Sequence, residues 1–140
     1  MYRRILVAVE NSPADQTILA HVTALARLTG ADLLLVHVAD GFAARHFEEL
    51  KLRESEEMKV DRAYLDTLAA RLAAEGFAVG TLLLMGDPAT ALIRAAAEHQ
   101  ADLLAMATHG HRFLNDLLRG TTVDRVRHEV KIPVLLLRAQ

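Results

Sequence analysis

The chain has 140 residues, 52% of them hydrophobic and 24% charged, with a formal net charge of −2. This length predicts one domain spanning residues 1–140. The small net charge gives no electrostatic reason to expect a nucleic acid or an anionic membrane as partner. The sequence contains no cysteine, which excludes disulfides, thiol nucleophiles and thiolate metal sites and fits a reducing compartment.

Apolar runs along the sequence are short. Residues 5–9 form an apolar run that is shorter than the apolar region of a signal peptide. No run approaches the ~20 residues that a membrane-spanning helix needs. We therefore expect a cytoplasmic protein that does not insert into membranes.

The first strand is predicted at residues 5–9, which are apolar throughout and rich in β-branched side chains, as in a strand buried on both faces. A helix follows. Ser12 can cap it, Pro13 suits its first position, and Asp15 takes the place of the glutamate in a capping box. Gly30 is expected to end this helix.

The same alternation of strand and helix continues to the end of the chain, after a polar and irregular stretch at residues 40–50. Parallel strands need crossover connections, so this pattern predicts an α/β fold with an open five-stranded parallel sheet and helices on both faces. The remaining predicted strands are residues 33–38, 77–85, 103–106 and 134–137, and the remaining helices are 53–74, one starting at 87–88, and 123–129.

Polar and glycine residues cluster where the predicted strands end. In open α/β sheets ligands bind at the carboxyl ends of the strands, here residues 8–12, 37–40, 85–87 and 107–110. Residues 120–122 (Gly-Thr-Thr) stand at a predicted helix start, where backbone N–H groups and the helix dipole favour a phosphate. The alternative is structural: Gly110 and Gly120 supply turns and the threonines cap the helix.

Other familiar sites are not indicated. The sequence has no P-loop motif, no G-x-G-x-x-G after the first strand and no G-x-S-x-G. His109 and His111 could chelate a metal, but no third ligand has a recognisable spacing, and polar turn residues are the better interpretation. His37 is interpreted either as a satisfied core histidine or as a residue that lines a pocket.

Taken together, five segments resemble the universal stress protein family, and the likeness covers essentially the whole chain. It implies a Rossmann-like sheet with strand order 3-2-1-4-5. The segments are the opening strand ending in Val9-Glu10-Asn11-Ser12 (family V-D-x-S), Gly86-Asp87-Pro88-Ala89 (G-D-P-A), residues 101–110, ADLLAMATHG (A-D-L-I-V-M-G-[ST]-H-G), Gly120-Thr121-Thr122-Val123 (G-S-V) and residues 132–137, IPVLLL (C-P-V-L-V-V).

Nucleotide-binding members carry G-x2-G-x9-G-[ST], which this chain matches as Ala107-x2-Gly110-x9-Gly120-Thr121. The resemblance implies that the chain binds ATP, or else ADP or AMP, with Mg²⁺ as a further candidate. Adenine would lie near Val38, and Glu10 would sit beside the ribose or a Mg²⁺-bound phosphate. The implied nucleotide-binding residues are Ala8, Val9, Glu10, Ser12, Val38, Gly86, Met106, Ala107, Thr108, His109, Gly110, His111, Gly120, Thr121 and Thr122, with Glu10 as the candidate metal contact.

Two departures from the family pattern leave alternatives open. Ala107 replaces the first glycine of the motif, and Glu10 stands where aspartate is usual. Ala107 is tolerated if its φ is negative and its Cβ points away from the phosphates, and it blocks binding if the backbone must touch them. The first functional reading is an ATP-binding regulatory protein that acts through nucleotide-dependent protein contacts. The second is a stress-response dimer that binds no nucleotide.

An enzyme is the least favoured reading. No arginine finger and no base to orient a water is evident, so no catalytic residue is predicted and a slow ATPase is the most we expect. The resemblance also implies a homodimer through the last strand, residues 134–137 (Val134 to Leu137), because an unprotected apolar edge is a pairing site. Flanking helices covering that edge would be the alternative. The implied regulatory role needs a further protein partner, which no motif identifies.

Overall fold

The structure, a computed structural model, describes residues 1–40, 47–108 and 120–139. Five strands and four helices alternate there, as the sequence predicts. They are β1 (Arg4–Ala8), α1 (Ala14–Thr29), β2 (Asp32–Asp40), α2 (Phe47–Ala74), β3 (Val79–Gly86), α3 (Pro88–Glu98), β4 (Leu103–Thr108), α4 (Gly120–Glu129) and β5 (Val134–Arg138).

The strands form one parallel sheet in the order β3-β2-β1-β4-β5, which confirms the predicted fold class and strand order. Strand β1 is central, with Ile5 opposite Leu33 of β2 and Leu103 of β4. The strand order reverses between β1 and β4. In open α/β sheets ligands bind outside the carboxyl ends of the strands at such a reversal.

Two apolar layers cover the sheet. Successive side chains of a strand point to opposite faces, so Val7 of β1 packs in the layer beneath α1 and α2, while Leu6 packs beneath α3 and α4. Helix α1 contributes Ile18 to the first layer, and α3 contributes Leu92 to the second. Both faces of β1 are covered, which matches the uniformly apolar and buried residues from Ile5 to Ala8.

Several element boundaries differ from the prediction. Helix α2 begins at Phe47 rather than at residue 53, so part of the stretch expected to be irregular is helical. Glutamate, leucine and lysine are favourable helix residues, and a polar surface helix lacks the apolar periodicity that marks a buried one. Strand β2 continues to Asp40 because it pairs with β3 up to Gly86. Helix α4 begins at Gly120 rather than at residue 123.

Within the described ranges, no helix combines the length and apolar character that crossing a membrane requires.

Candidate functional site

The polar members of the predicted site lie where the strands end. Glu10 and Ser12 follow β1, and Thr108 is the last residue of β4. Gly86 ends β3 with φ of 112°, a conformation that favours glycine, so the turn into α3 explains this residue without a ligand. Gly120 begins α4. The predicted residues His109, Gly110 and His111 lie outside the described part of the chain.

The apolar members of the predicted site are core residues. These residues are at most 3% exposed, so their side chains are not available to a ligand at the strand ends. Ala8, Val38 and Met106 belong to the layer beneath α3 and α4, whereas Val9 and Ala107 belong to the layer beneath α1 and α2.

Ala107, which replaces a family glycine, lies inside β4 opposite Leu137 of β5. Among the non-glycine residues described, only Asn11 and Gln100 have a positive φ, so Ala107 does not need the conformational freedom of glycine. Its side chain is 1% exposed within the core. The φ condition for tolerating this alanine is met, and its Cβ packs into the core.

The loop after β1 is built around the carboxylate of Asp15. This side chain, in a residue only 2% exposed, accepts hydrogen bonds from the main-chain N–H groups of Glu10 (3.0 Å), Asn11 (2.9 Å) and Ser12 (3.4 Å). Tyr64 of α2 donates its hydroxyl to the same carboxylate. Burial and this hydrogen bond raise the pKa of Tyr64. Successive N–H groups that converge in this way form an anion-binding concavity, and here the chain's own carboxylate fills it.

Ser12 joins this loop to helix α1. Its Oγ accepts a hydrogen bond from the N–H of Ala14 (3.2 Å) and donates one to Oε1 of Glu10 (2.8 Å). The predicted capping box is present only in part: the N–H of Ser12 donates to Asp15, but the N-cap position is Pro13, which makes no side-chain capping bond, and α1 begins at Ala14. Because Ser12 also holds Glu10, the Glu10 carboxylate is oriented by the loop rather than extended freely into solvent.

Glu10 and His37 line one open cavity of about 430 Å³ beside helix α2. His37 is 5% exposed. Its Nδ1 lies 2.9 Å from the carbonyl oxygen of Val9, and its Nε2 lies 3.1 Å from Oδ2 of Asp61. Both interpretations offered for His37, a satisfied core histidine and a pocket-lining residue, are correct. The full lining is Glu10, Asn11, His37, Glu56, Glu57, Val60 and Asp61.

The sequence did not single out Asp61 or Tyr64. They lie one turn apart on α2 and contact His37 and Asp15, which are distant in the sequence. No local motif marks such contacts, since an aspartate and a tyrosine on a charged helix have the pattern of an ordinary solvated face.

The helix starts at this edge of the sheet differ in charge. At the start of α3, Asp87 accepts hydrogen bonds from the N–H (2.9 Å) and Oγ1 (2.7 Å) of Thr90 and from Arg125 of α4 (2.7 Å). The hydrogen bonds from Thr90, followed by that from Arg125, lower the pKa of Asp87. Helix α1 has Asp15 in its first turn, and α2 has Glu48 and Glu49 next to its first residue.

Helix α4 has no acidic residue in its first turn; α3 has none there either, but its N-cap Asp87 supplies a carboxylate. It opens with Gly120, followed by the exposed Thr121 and by Thr122, which is 9% exposed. The positive end of its dipole is therefore not balanced by a carboxylate within the first turn. An anion at the carboxyl edge of the sheet would meet the most favourable helix start here.

Among the described residues, no group of three or more histidine, aspartate or glutamate side chains is arranged so that it could hold a metal ion. Glu10 is therefore a single carboxylate ligand candidate. One carboxylate together with substrate phosphates is a usual way for proteins to hold Mg²⁺.

Comparison with known proteins finds relatives that match this chain over nearly its whole length. Residues 1–138 match the universal stress protein family. The universal stress protein encoded in the QAH/OAS sulfhydrylase 3′ region of Thermus aquaticus is 34% identical over 142 residues, covering 99% of this chain and 100% of that protein. The solved structure of MJ0577, which Methanocaldococcus jannaschii encodes, superposes with a TM-score of 0.83 at 24% identity and covers 100% of this chain and 98% of that one.

Two further solved structures share the fold and hold a nucleotide. One is a universal stress protein in complex with cAMP, with a TM-score of 0.68 and 20% identity over 99% of this chain and 98% of that one. The other is the universal stress protein of Archaeoglobus fulgidus in complex with dAMP, with a TM-score of 0.66 and 22% identity over 96% of this chain and 97% of that one. The match over residues 1–138 and the Thermus aquaticus relative show that this chain belongs to the universal stress protein family.

Proposed function

We propose that this protein binds an adenine nucleotide at the carboxyl edge of the sheet, beside the reversal between β1 and β4, with the phosphates at the start of α4. The observation that carries the proposal is the charge of the helix starts. Helices α1 and α3 begin on carboxylates that accept hydrogen bonds from main-chain N–H groups, whereas the first turn of α4 has no acidic residue. Helix starts without such a carboxylate attract phosphate.

The choice of adenine is supported by the ligands of relatives. Two structural relatives hold cAMP and dAMP, which share adenine, a sugar and one phosphate. In this chain Val9 and Val38 are buried, and the N–H and carbonyl oxygen of Val9 are already hydrogen-bonded, so the base would be recognised by main-chain groups at the end of β2. Such groups can hydrogen-bond the edge of adenine.

ATP with Mg²⁺ is the ligand we favour. Glu10 is held by Ser12 at 2.8 Å and lines the cavity beside β1, so it can face either the ribose or a phosphate-bound Mg²⁺. Mg²⁺ commonly keeps several waters and binds through one or two carboxylates together with phosphates. We expect the ion to arrive with the nucleotide. The role we propose is regulatory, with nucleotide occupancy changing the contacts that this protein makes with another protein.

The experiment is a Thr121→Asp substitution, which gives α4 a carboxylate in its first turn. The new charge should repel phosphate but favour the helix, so thermal stability should be equal or higher. We expect the stripped parent protein to bind Mg·ATP in calorimetric titrations and Thr121→Asp to bind at least about tenfold more weakly, a loss of about 1.4 kcal/mol.

The matched control is Gln100→Asp. Gln100 is exposed and precedes β4, at the opposite edge of the sheet. The Gln100→Asp substitution therefore adds the same charge away from the proposed site. Its affinity should equal that of the parent. Chromatography of the nucleotide released on denaturing freshly purified protein identifies the natural ligand. A parent with no bound nucleotide and no affinity overturns the proposal, and parental affinity in Thr121→Asp shows that the phosphates bind elsewhere.

A further inference from the structure

His37 connects three parts of the molecule that are far apart in sequence. It belongs to β2, its Nδ1 contacts the carbonyl oxygen of Val9 at the end of β1, and its Nε2 contacts Asp61 on α2. A carbonyl oxygen only accepts, so Nδ1 must carry a hydrogen. Nε2 faces Oδ2 of Asp61 at 3.1 Å, so both ring nitrogens lie within hydrogen-bonding distance of an oxygen.

Most of the residues that line the cavity with His37 are acidic. The cavity that His37 lines is bordered by Glu10 from the loop after β1 and by Glu56, Glu57 and Asp61 from α2. Among the described residues of this lining, His37 is the one basic side chain. Each ring nitrogen of His37 lies beside an oxygen atom, from Val9 or from Asp61, and this pairing favours one fixed orientation of the imidazole.

The peptide bond between Val9 and Glu10 is held at both of its polar groups. His37 donates to its carbonyl oxygen at 2.9 Å, and its N–H donates to Oδ1 of Asp15 at 3.0 Å. Each of the two side chains that hold it is in turn bound by α2, His37 by Asp61 and Asp15 by Tyr64. Asp61 and Tyr64 are neighbours on one face of that helix, because residues three apart lie one turn away.

The plane of this peptide sets the direction in which Glu10 leaves the backbone. We propose that His37 is a positioning residue of the nucleotide site: through the Val9–Glu10 peptide it orients the Glu10 carboxylate, and through Asp61 it ties that orientation to helix α2. This inference rests on the proposed nucleotide binding and adds to it a specific route by which α2 contacts the site. A change in the position of α2 would reach Glu10 through these hydrogen bonds.

The test uses two substitutions that each keep one of the two hydrogen-bonding positions of the histidine ring. In His37→Asn the amide can donate near the Nδ1 position and retain the bond to Val9, whereas in His37→Gln it donates near the Nε2 position and retains the contact with Asp61. We expect His37→Asn to bind Mg·ATP within about threefold of the parent and His37→Gln to bind about tenfold more weakly. Thermal midpoints of both variants show whether they are comparably folded, so that a difference in affinity is not a difference in stability.

A second measurement needs no nucleotide and reports directly on the Val9–Glu10 peptide. Hydrogen exchange of the Glu10 amide, followed by NMR, should remain slow in the parent and in His37→Asn and become at least about tenfold faster in His37→Gln, because a loosened peptide opens more often. Equal exchange in the two variants overturns the role of His37 in holding this peptide, whether or not a nucleotide binds.

A double-mutant cycle with Glu10→Gln identifies the route. If His37 acts through Glu10, the double variant His37→Gln/Glu10→Gln binds no more weakly than Glu10→Gln alone. Additive losses show that His37 acts by another route and overturn the inference. If the parent binds no Mg·ATP, the proposed function is overturned. If the parent and His37→Gln bind Mg·ATP equally tightly, only the positioning role of His37 is overturned.

Discussion

Ala107 shows how a single residue can depart from a family motif without changing what the backbone must do. The residue is part of β4, has no positive φ and directs a buried methyl group into the layer beneath α1 and α2. We therefore expect Ala107→Gly to change the affinity for Mg·ATP by less than about twofold. The same change should lower the free energy of unfolding by about 1 kcal/mol, since glycine in a strand loses more conformational entropy on folding than alanine does.

Calorimetric titration and urea unfolding of Ala107→Gly and the parent measure these two effects. Binding that tightens by about tenfold or more would show that the alanine methyl obstructs the phosphates, contrary to its inward placement. The sequence could frame this question but not answer it, because the direction of a Cβ depends on strand register, which long-range pairing with Leu137 fixes.

At the same scale, the contacts of Asp15 divide into those a local motif predicts and those it does not. The bond between Asp15 and the N–H of Ser12 follows from the capping pattern, since both residues belong to one turn. The contacts of Asp15 with Tyr64 and of His37 with Asp61 depend on where α2 packs. Local residue preferences do not specify where α2 packs, so only the three-dimensional structure reveals these contacts.

At the scale of elements, Asp87 makes the start of α3 sensitive to acid. The hydrogen bonds from Thr90 lower the pKa of Asp87, so the folded state favours the ionised carboxylate. Its contribution to stability is full at neutral pH and is lost as the pH falls through the lowered folded-state pKa. We expect Asp87→Ala to cost about 1 kcal/mol at pH 7, the usual value for a lost helix cap.

Asp87→Asn separates charge from hydrogen bonding, because asparagine also caps helices well. Urea unfolding at several pH values should show the parent more stable than Asp87→Asn at neutral pH, with the difference shrinking as the pH falls below about 4. A difference that stays constant down to the lowest pH would show that the charge of Asp87 contributes nothing to the fold.

The elements themselves were predictable because their signals are local. Buried strands such as β1 and β4 contain continuous apolar runs, and helix α3, which directly precedes β4, begins with an aspartate-proline cap. The strand order came from the resemblance to a family rather than from any pattern. The start of α2 was missed because its first residues lack the sustained apolar periodicity that marks a helix in a sequence.

At the scale of the whole molecule, the sheet ends in two edge strands, β3 and β5. The residues from Val134 to Leu137 remain partly exposed although they pack against both core layers. An aliphatic edge of this kind offers both hydrogen-bonding groups and apolar surface to a second copy of the chain. We propose a homodimer that pairs through β5.

The backbone geometry of β5 indicates which groups would form such a pairing. Ala139 donates its N–H to Thr108, and Pro133 accepts from Leu104, so the odd-numbered residues of this stretch face β4. In a parallel strand alternate residues face opposite neighbours, and the N–H of Arg138 therefore points away from β4. Arg138 is also exposed, so replacing its side chain disturbs little of the core.

Arg138→Pro removes this outward N–H, whereas Arg138→Ala keeps it and removes only the side chain. We expect the parent and Arg138→Ala to sediment as dimers over the same concentration range and Arg138→Pro to dissociate at concentrations at least about tenfold higher. Sedimentation velocity measures all three. A monomeric parent would mean that β5 remains an unpaired edge, and equally tight dimers of Arg138→Pro would place the interface on another surface.

If the dimer forms as expected, the two proposed nucleotide sites share one continuous sheet, and α2 of each chain remains outside the interface as a surface for the regulated partner.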